Sequence, residues 1–241
     1  MNTTTIVSAF LSNVNTYRDV EKYIECGKRL LEIDNIYKVI FIEKTIYDTY
    51  FLENSFKNIK FVFMERSDIY LYEQIDNITN FSVQSTNPHK DIIDYMFVQC
   101  NKTEWVKQAI ELNPFNTDQF IWVDFGIYHM INNDNFNDSI YKMTQQNFQN
   151  VRIATSWDFN AYYHNNYYTQ IMWYFAGSVF GGDKNKLLLF ADLMKKNCLD
   201  IIDKQKTLMW EVNIWYFIYN TNKDLFDTYH CIHNNTIIDN Y

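Results

Sequence analysis

Glycine and proline are scarce in this chain, with five and two among 241 residues. Two prolines cannot sustain a polyproline linker, and a sequence that avoids glycine keeps it where a turn or a close approach to the backbone requires it. The four cysteines, Cys26, Cys100, Cys198 and Cys231, are scattered without CxxC spacing, which suits reduced thiols rather than a disulfide framework or a zinc ribbon. No uncharged apolar stretch reaches the length of a membrane span, so no transmembrane segment is expected. The opening MNTTTIVSAFLSN lacks the basic segment and the apolar length of a secretion signal. A soluble, cytoplasmic protein is expected. Basic residues are outnumbered, 21 Lys and Arg against 29 Asp and Glu for a net charge of −8, and they are dispersed, so no nucleic-acid partner is expected. The high Asn, Ile and Lys content resembles the coding bias of an AT-rich genome, and only residues that defy that bias are informative.

Large rings are plentiful: 19 Tyr, 19 Phe and 6 Trp, in a chain that is 47% hydrophobic. That excludes disorder. For a mass of 29.2 kDa, area scaling lets about 73% of the unfolded surface be buried, enough for one sizeable core without disulfides or structural metal. Residues 1–241 are therefore expected to form a single domain.

Short runs of β-branched and aromatic residues recur at 5–10 (TIVSAF), 39–42 (VIFI), 61–64 (FVFM), 120–123 (FIWV) and 151–155 (VRIAT). They do not alternate with polar residues, so they read as strands covered on both faces. Between the first two, Val20, Tyr23, Ile24, Gly27, Leu30 and Leu31 fall at helical spacing, with Thr16 and Asp19 as a weak capping box. Strand, helix, strand implies parallel pairing. Further helices are expected over residues 91–112, 186–202 and 207–219. The alternation through the first 125 residues predicts an α/β fold, a mostly parallel central sheet flanked by helices. The more aromatic second half is expected to add strands and helices at one edge.

In an open parallel sheet, ligands sit beyond the carboxyl ends of the strands, so polar residues that follow apolar runs come first. Asp124 is one. It follows FIWV, and Gly126 two positions later allows a turn or close ligand approach; a plain strand-end turn is the alternative. Gly177, Gly181 and Gly182 cluster in WYFAGSVFGGDK, read as a site-forming segment or as tight turns before the next helix.

With these segments in view, the chain resembles the HtrL/YibB-type glycosyltransferase-like proteins of the GT-A fold, known from bacteria and large DNA viruses. The resemblance spans most of the chain. It rests on TTTIVSAF, on NKTEWVKQAIELNPFNTDQFIWVDFGIYHM, on FAGSVFGG and on HNNTIIDNY, in that order. It implies a nucleotide-sugar donor over the first strands, with Ser8, Ala9 and Phe10 against the base and Asp124 in the DxD position beside the diphosphate. It also implies an acceptor side formed by Gly177, Gly181 and Gly182, and an imidazole ligand from His233. A donor diphosphate brings about two negative charges to an already acidic protein, so a local cation must supply attraction. Lys102 and Arg66 are then candidates for diphosphate or nucleotide contact, against the alternative of solvated surface cations. Mn²⁺ or Mg²⁺, held by Asp124 and His233, is the expected cofactor. WVDFG departs from the motif by offering one carboxylate where DxD offers two, and His129 or Asp134 are the substitute ligands considered. Inverting transfer to an acceptor hydroxyl needs a general base. Glu211, placed like the helix-start carboxylate of inverting GT-A enzymes, is the candidate, with Asp183 as the alternate and a plain helix-start acid as the bland reading. Trp157, Tyr162, Tyr163, Tyr167, Tyr168, Trp173 and Tyr174 offer flat faces for sugar stacking or simple packing.

The expected activity is transfer of a sugar from a nucleotide-sugar donor to a hydroxyl of a glycan-type acceptor. The main rival is a non-catalytic nucleotide- or glycan-binding module on the same fold. A sugar nucleotidyltransferase would open with a Gly-rich loop after its first strand, and no glycine follows Phe10 until Gly27.

Overall fold

Most of the unbroken apolar runs become strands buried on both faces; the strand at Ile59–Phe63 lies at the sheet edge and is only partly buried, contrary to the expectation for that run. The computed structural model describes residues 3–12, 19–131, 135–157 and 167–241 of the chain. Its strands are β1 (Thr4–Phe10), β2 (Tyr37–Ile42), β3 (Ile59–Phe63), β4 (Gln119–Val123), β5 (Val151–Thr155), β6 (Phe175–Asp183) and β7 (Phe226–His230). They form one seven-stranded sheet in the order β3-β2-β1-β4-β6-β5-β7. β6 runs antiparallel to β4 and β5, and every other pairing is parallel. The expected α/β class and mostly parallel sheet flanked by helices are borne out.

The helices are α1 (Val20–Leu31), α2 (Lys44–Tyr50), α3 (Ile93–Cys100), α4 (Lys102–Leu112), α5 (Phe136–Met143), α6 (Lys184–Gln205), α7 (Glu211–Thr221) and α8 (Thr236–Asp239). Successive strand residues point to opposite faces, and the core divides accordingly. Val7, Phe120, Trp122 and Phe180 pack with residues of α3, α4, α6 and α7. Ile6, Ile121, Val123 and Val179 pack on the other face with residues of α5 and α8. Each such side chain, taken fully out of water, contributes about 1.5 to 3 kcal/mol.

Three local features place the site. Asp19 caps α1 by accepting from Glu21 N at 3.1 Å, whereas Thr16 lies outside the described residues. Gly27 in α1 lies against the Phe125 ring so closely that a Cβ there would overlap it, and the helix thereby settles onto the turn that follows β4. At the other end of α1 the buried Lys38 ammonium donates to the carbonyls of Leu31, Ile33 and Ile36 at 3.2, 2.6 and 3.4 Å, satisfying the last oxygen of the helix and two in the connection to β2.

Two expectations need correction. The helix expected over residues 91–112 is two helices that meet at Asn101, whose N–H is shared between the carbonyls of Phe97 and Val98, ending α3 as Lys102 begins α4. The glycine-rich stretch is not a pair of turns. It is β6, in which the missing side chains let neighbouring groups come close: a Cβ on Gly181 would meet Phe120 O and Tyr241 Oη, each at 2.5 Å.

Candidate functional site

β1 and β4 are parallel, so Phe10 and Val123 end at the same edge of the sheet. β6 is antiparallel, so its beginning lies at that edge too, with Val123 opposite Val179 and Asp124 N donating to Ser178 O at 3.0 Å. A cavity of about 190 Å³ opens there. Ala9, Phe10, Lys102, Asp124, Gly126, Gly177, Glu211 and His233 all line it, eight residues picked from sequence and brought together from across the chain.

At its floor stands Lys102. Its ammonium pairs with Asp124 Oδ1 and with Glu211 Oε1, each at 3.2 Å, and donates to Gly177 O at 3.0 Å. The side chain is only 3% exposed, as is the whole of Glu211. Burial works against the charged lysine, but the carboxylates of Asp124 and Glu211 outweigh it and raise its pKa above the ordinary value. Lys102 is therefore neither a solvated surface cation nor a free phosphate hook. It ties together two carboxylates that come from different elements. With all three groups ionised, the cluster keeps one net negative charge.

Asp124 is about one-third exposed, and its Oδ1 accepts from Trp122 Nε1 at 2.7 Å as well as pairing with Lys102. Oδ2 is left uncommitted among the described residues. Glu211 is the first residue of α7, where the helix dipole favours an acid. Its Oε1 faces Lys102 and its Oε2 is buried without a partner among the described residues. Gly177 makes this possible, because a Cβ at that position would lie 2.5 Å from Glu211 Oε1.

His233 adopts a left-handed backbone, φ 54°, and its ring meets Trp173 edge-on with centroids 4.9 Å apart. Burial lowers its pKa, so the imidazole is neutral at pH 7, and Nε2 has no partner among the described residues. Asp124 and His233 both line the cavity, and a carboxylate oxygen with a neutral imidazole is the type of donor set that a divalent cation takes when phosphate oxygens complete its shell, with Nε2 here buried. Among the described residues no group of three or more His, Cys, Asp or Glu side chains is arranged to hold a metal without such help. His129 lines the cavity with Nδ1 against Gly126 O, and Asp134 lies outside the described residues.

The remaining candidates are placed elsewhere. Ser8 is buried and donates to Val123 O at 2.7 Å, holding β1 to the end of β4 rather than lining the cavity. Arg66 is held by Asp94 at 3.2 Å and by Ser12 O at 2.8 Å, outside the lining. Gly181 and Gly182 pair with Ile121 and Phe120, towards the opposite edge of the sheet. Asp183 pairs with Gln119, about 13 Å along the strand from the level of Val123. Its side chain accepts from Asn185 N and Lys186 N, capping α6, so it is a helix cap distant from the cavity. Of the aromatic stretch, Trp173 lines the cavity; Tyr162 and Tyr163 lie outside the described residues. Tyr95, Gln99 and Trp210 line it too and were not singled out from sequence. Trp210, directly ahead of the helix-start Glu211, had a positional signal.

Residues 10–236 match the model of a family described as "Bacterial protein of unknown function (HtrL_YibB)". No curated protein matches the chain. Among solved structures, a glycosyltransferase involved in the glycosylation of the major capsid of PBCV-1 is similar at 12% identity and TM-score 0.47, covering 94% of this chain and 81% of that one. Mouse xyloside xylosyltransferase 1 is similar at 10% identity and TM-score 0.44, covering 95% and 84%. The 4-diphosphocytidyl-2C-methyl-D-erythritol synthase of Anaerococcus prevotii DSM 20548 is similar at 12% identity and TM-score 0.44, covering 98% and 89%. Likeness of that degree does not bear on the chemistry of this chain. Among the described residues no helix is long and apolar enough to cross a membrane.

Proposed function

The chain belongs to the HtrL/YibB family, and we propose that it is a GT-A-type glycosyltransferase that moves a sugar from a nucleotide-sugar donor to a hydroxyl of a glycan-type acceptor. One observation carries this reading: Lys102 holds Asp124 and Glu211 together on the floor of a cavity at the carboxyl ends of β1 and β4. The sheet supports it, since ligands of open α/β folds sit at that edge.

In this reading Ala9 and Phe10 face the nucleoside, and Gly126 allows the diphosphate close to the backbone after β4. Asp124 Oδ2 and His233 Nε2 would hold Mn²⁺ or Mg²⁺, which when bound offsets the charge of the leaving diphosphate. Glu211 takes the proton of the acceptor hydroxyl. The acceptor oxygen forms its bond to the anomeric carbon as the bond to the diphosphate oxygen breaks, and the electron pair departs with the nucleoside diphosphate. Lys102 positions both carboxylates and leaves only one net negative charge to oppose the donor.

The binding-module reading keeps one observation in its favour: Asp124 is a single carboxylate, and one of its oxygens is already engaged by Trp122 and Lys102. Release of nucleoside diphosphate from UDP-, GDP- and dTDP-sugars, followed with Mn²⁺ present, separates the two. Turnover that Glu211→Gln reduces far more than donor binding supports the transferase. Nucleotide binding without any release supports the module.

A further inference from the structure

Residues 167–172, on the way from β5 to β6, belong to no helix or strand. Their buried backbone groups must therefore find partners elsewhere. They find them on α7. Tyr167 sets its ring edge-on against Phe217 at 5.1 Å, and Tyr167 O, Gln170 O and Met172 N all bond to Asn213. Trp173, the next residue, lies 6.4 Å from Trp210, just ahead of α7. The segment thus follows α7 from Phe217 to the helix start and arrives at the cavity, where Ile171 and Trp173 form part of the wall. On its other side Thr169 O accepts from Gln84 N at 2.6 Å.

Asn213 fixes this course. It is wholly buried, beside Val212, Ile214 and Trp215 in the helix. A carboxamide in such a place costs free energy unless it is hydrogen-bonded. Its Oδ1 accepts from Met172 N at 2.7 Å, and its Nδ2 donates to Tyr167 O and Gln170 O at 2.8 and 2.7 Å. Both N–H donors and the oxygen are thus used on one short stretch of backbone, which demands an amide. An aspartate of the same shape could still accept from Met172 N, but it has no proton to give and would set a negative charge against two carbonyl oxygens. Leucine, of similar size, can neither donate nor accept. Asn213 stands two positions after Glu211 in the first turn of α7, so these bonds tie the wall to the helix turn that holds the carboxylate on Lys102.

We infer that Asn213 is a positioning residue of the site: it anchors the segment that carries Ile171 and leads into Trp173 to the first turn of α7, and so fixes the cavity wall relative to Glu211. It stands behind the lining and acts through that segment. Its bearing on turnover rests on the transferase reading, whereas the anchoring does not.

Hydrogen exchange on the full chain, followed by NMR, tests the anchor first. In the native protein Met172 N–H is expected to exchange as slowly as the amides of α7, and rapid exchange there would overturn the inference. Asn213→Asp and Asn213→Leu are expected to speed exchange across residues 167–173 by about tenfold or more, while β1 and β4 keep their native protection. Turnover of UDP-, GDP- and dTDP-sugars is then measured per nucleotide-binding site, so that unfolded protein is not counted. Both variants are expected to keep their nucleoside diphosphate affinity and to lose about tenfold or more in kcat. Unchanged exchange at residues 167–173 in both variants, an equal rise over the whole sheet, or native kcat in a variant whose wall has loosened would overturn the inference. Local loosening in a protein whose native form turns over no donor would uphold the anchor and defeat the transferase reading instead.

Discussion

Glu211 Oε1 occupies space that a side chain at position 177 would need, since a Cβ on Gly177 would stand 2.5 Å from it and 3.3 Å from Val212 Cγ1. The carboxylate is therefore held from two directions, by the Lys102 ammonium and by the bare backbone of β6. Gly177→Ala should fold, because the clashing group is the end of a side chain, but it should displace the carboxylate from Lys102. Turnover is expected to fall by about 10- to 100-fold, the scale of an ångström-sized misplacement, with nucleotide affinity unchanged. Steady-state kinetics beside nucleotide calorimetry checks this, and full turnover in Gly177→Ala would free Glu211 from any positional role.

Lys102 is the keystone of the charge arrangement. Lys102→Met leaves the almost fully buried Glu211 without its counter-ion and should cost about 3 to 5 kcal/mol of stability in denaturant titration. The double variant Lys102→Met/Glu211→Gln removes the stranded charge and should recover much of that loss. Equal destabilisation of the single and double variants would show that packing, not charge, is what Lys102 supplies.

How much of this was legible beforehand follows from which signals are local. Strands such as FIWV are readable because residues buried on both faces leave an unbroken apolar run, and Asp124 stands out because it ends one. β6 was not legible as a strand, because glycine in a strand serves close packing yet in sequence looks equally like a turn or a site-forming segment. The role of Lys102 was not visible for a different reason. Its partners Gly177 and Glu211 lie 75 and 109 residues away, and no spacing rule links a helix start, a strand start and a second helix start. Trp210 and Tyr95 were lost among 6 Trp and 19 Tyr, where one more ring carries no signal.

Lys38 gives a prediction about pH. Burial depresses its pKa to about 8 in the fold from 10.5, so between those values the unfolded chain binds more protons and stability from this group rises with pH. Lys38→Met loses the bonds to three carbonyls and should be less stable throughout. The gap should widen in favour of the native protein between about pH 8 and 9.5, by about 1 to 2 kcal/mol at most. Thermal melts of the two proteins across that range measure it, and a gap that narrows would contradict the assignment.

Asp124 and His233 are the residues that would hold the cation, and burial favours the neutral, metal-binding form of the imidazole. His233→Ala should therefore lower the Mn²⁺ dependence of nucleotide binding more than its metal-free component. Identical metal titrations for the variant and the native protein would remove His233 from the cation site.

The central claim, a cation-assisted nucleotide-diphosphate site at Asp124, is tested most directly by calorimetric titration of UDP, GDP, dTDP and CMP into the native protein and into Asp124→Ala, each with Mn²⁺ and with EDTA. One nucleotide is expected to bind the native protein with Mn²⁺ and to bind more weakly in EDTA, and Asp124→Ala is expected to remain folded but to bind as the native protein does in EDTA. A well-folded Asp124→Ala protein with undiminished, metal-dependent nucleotide affinity would contradict it.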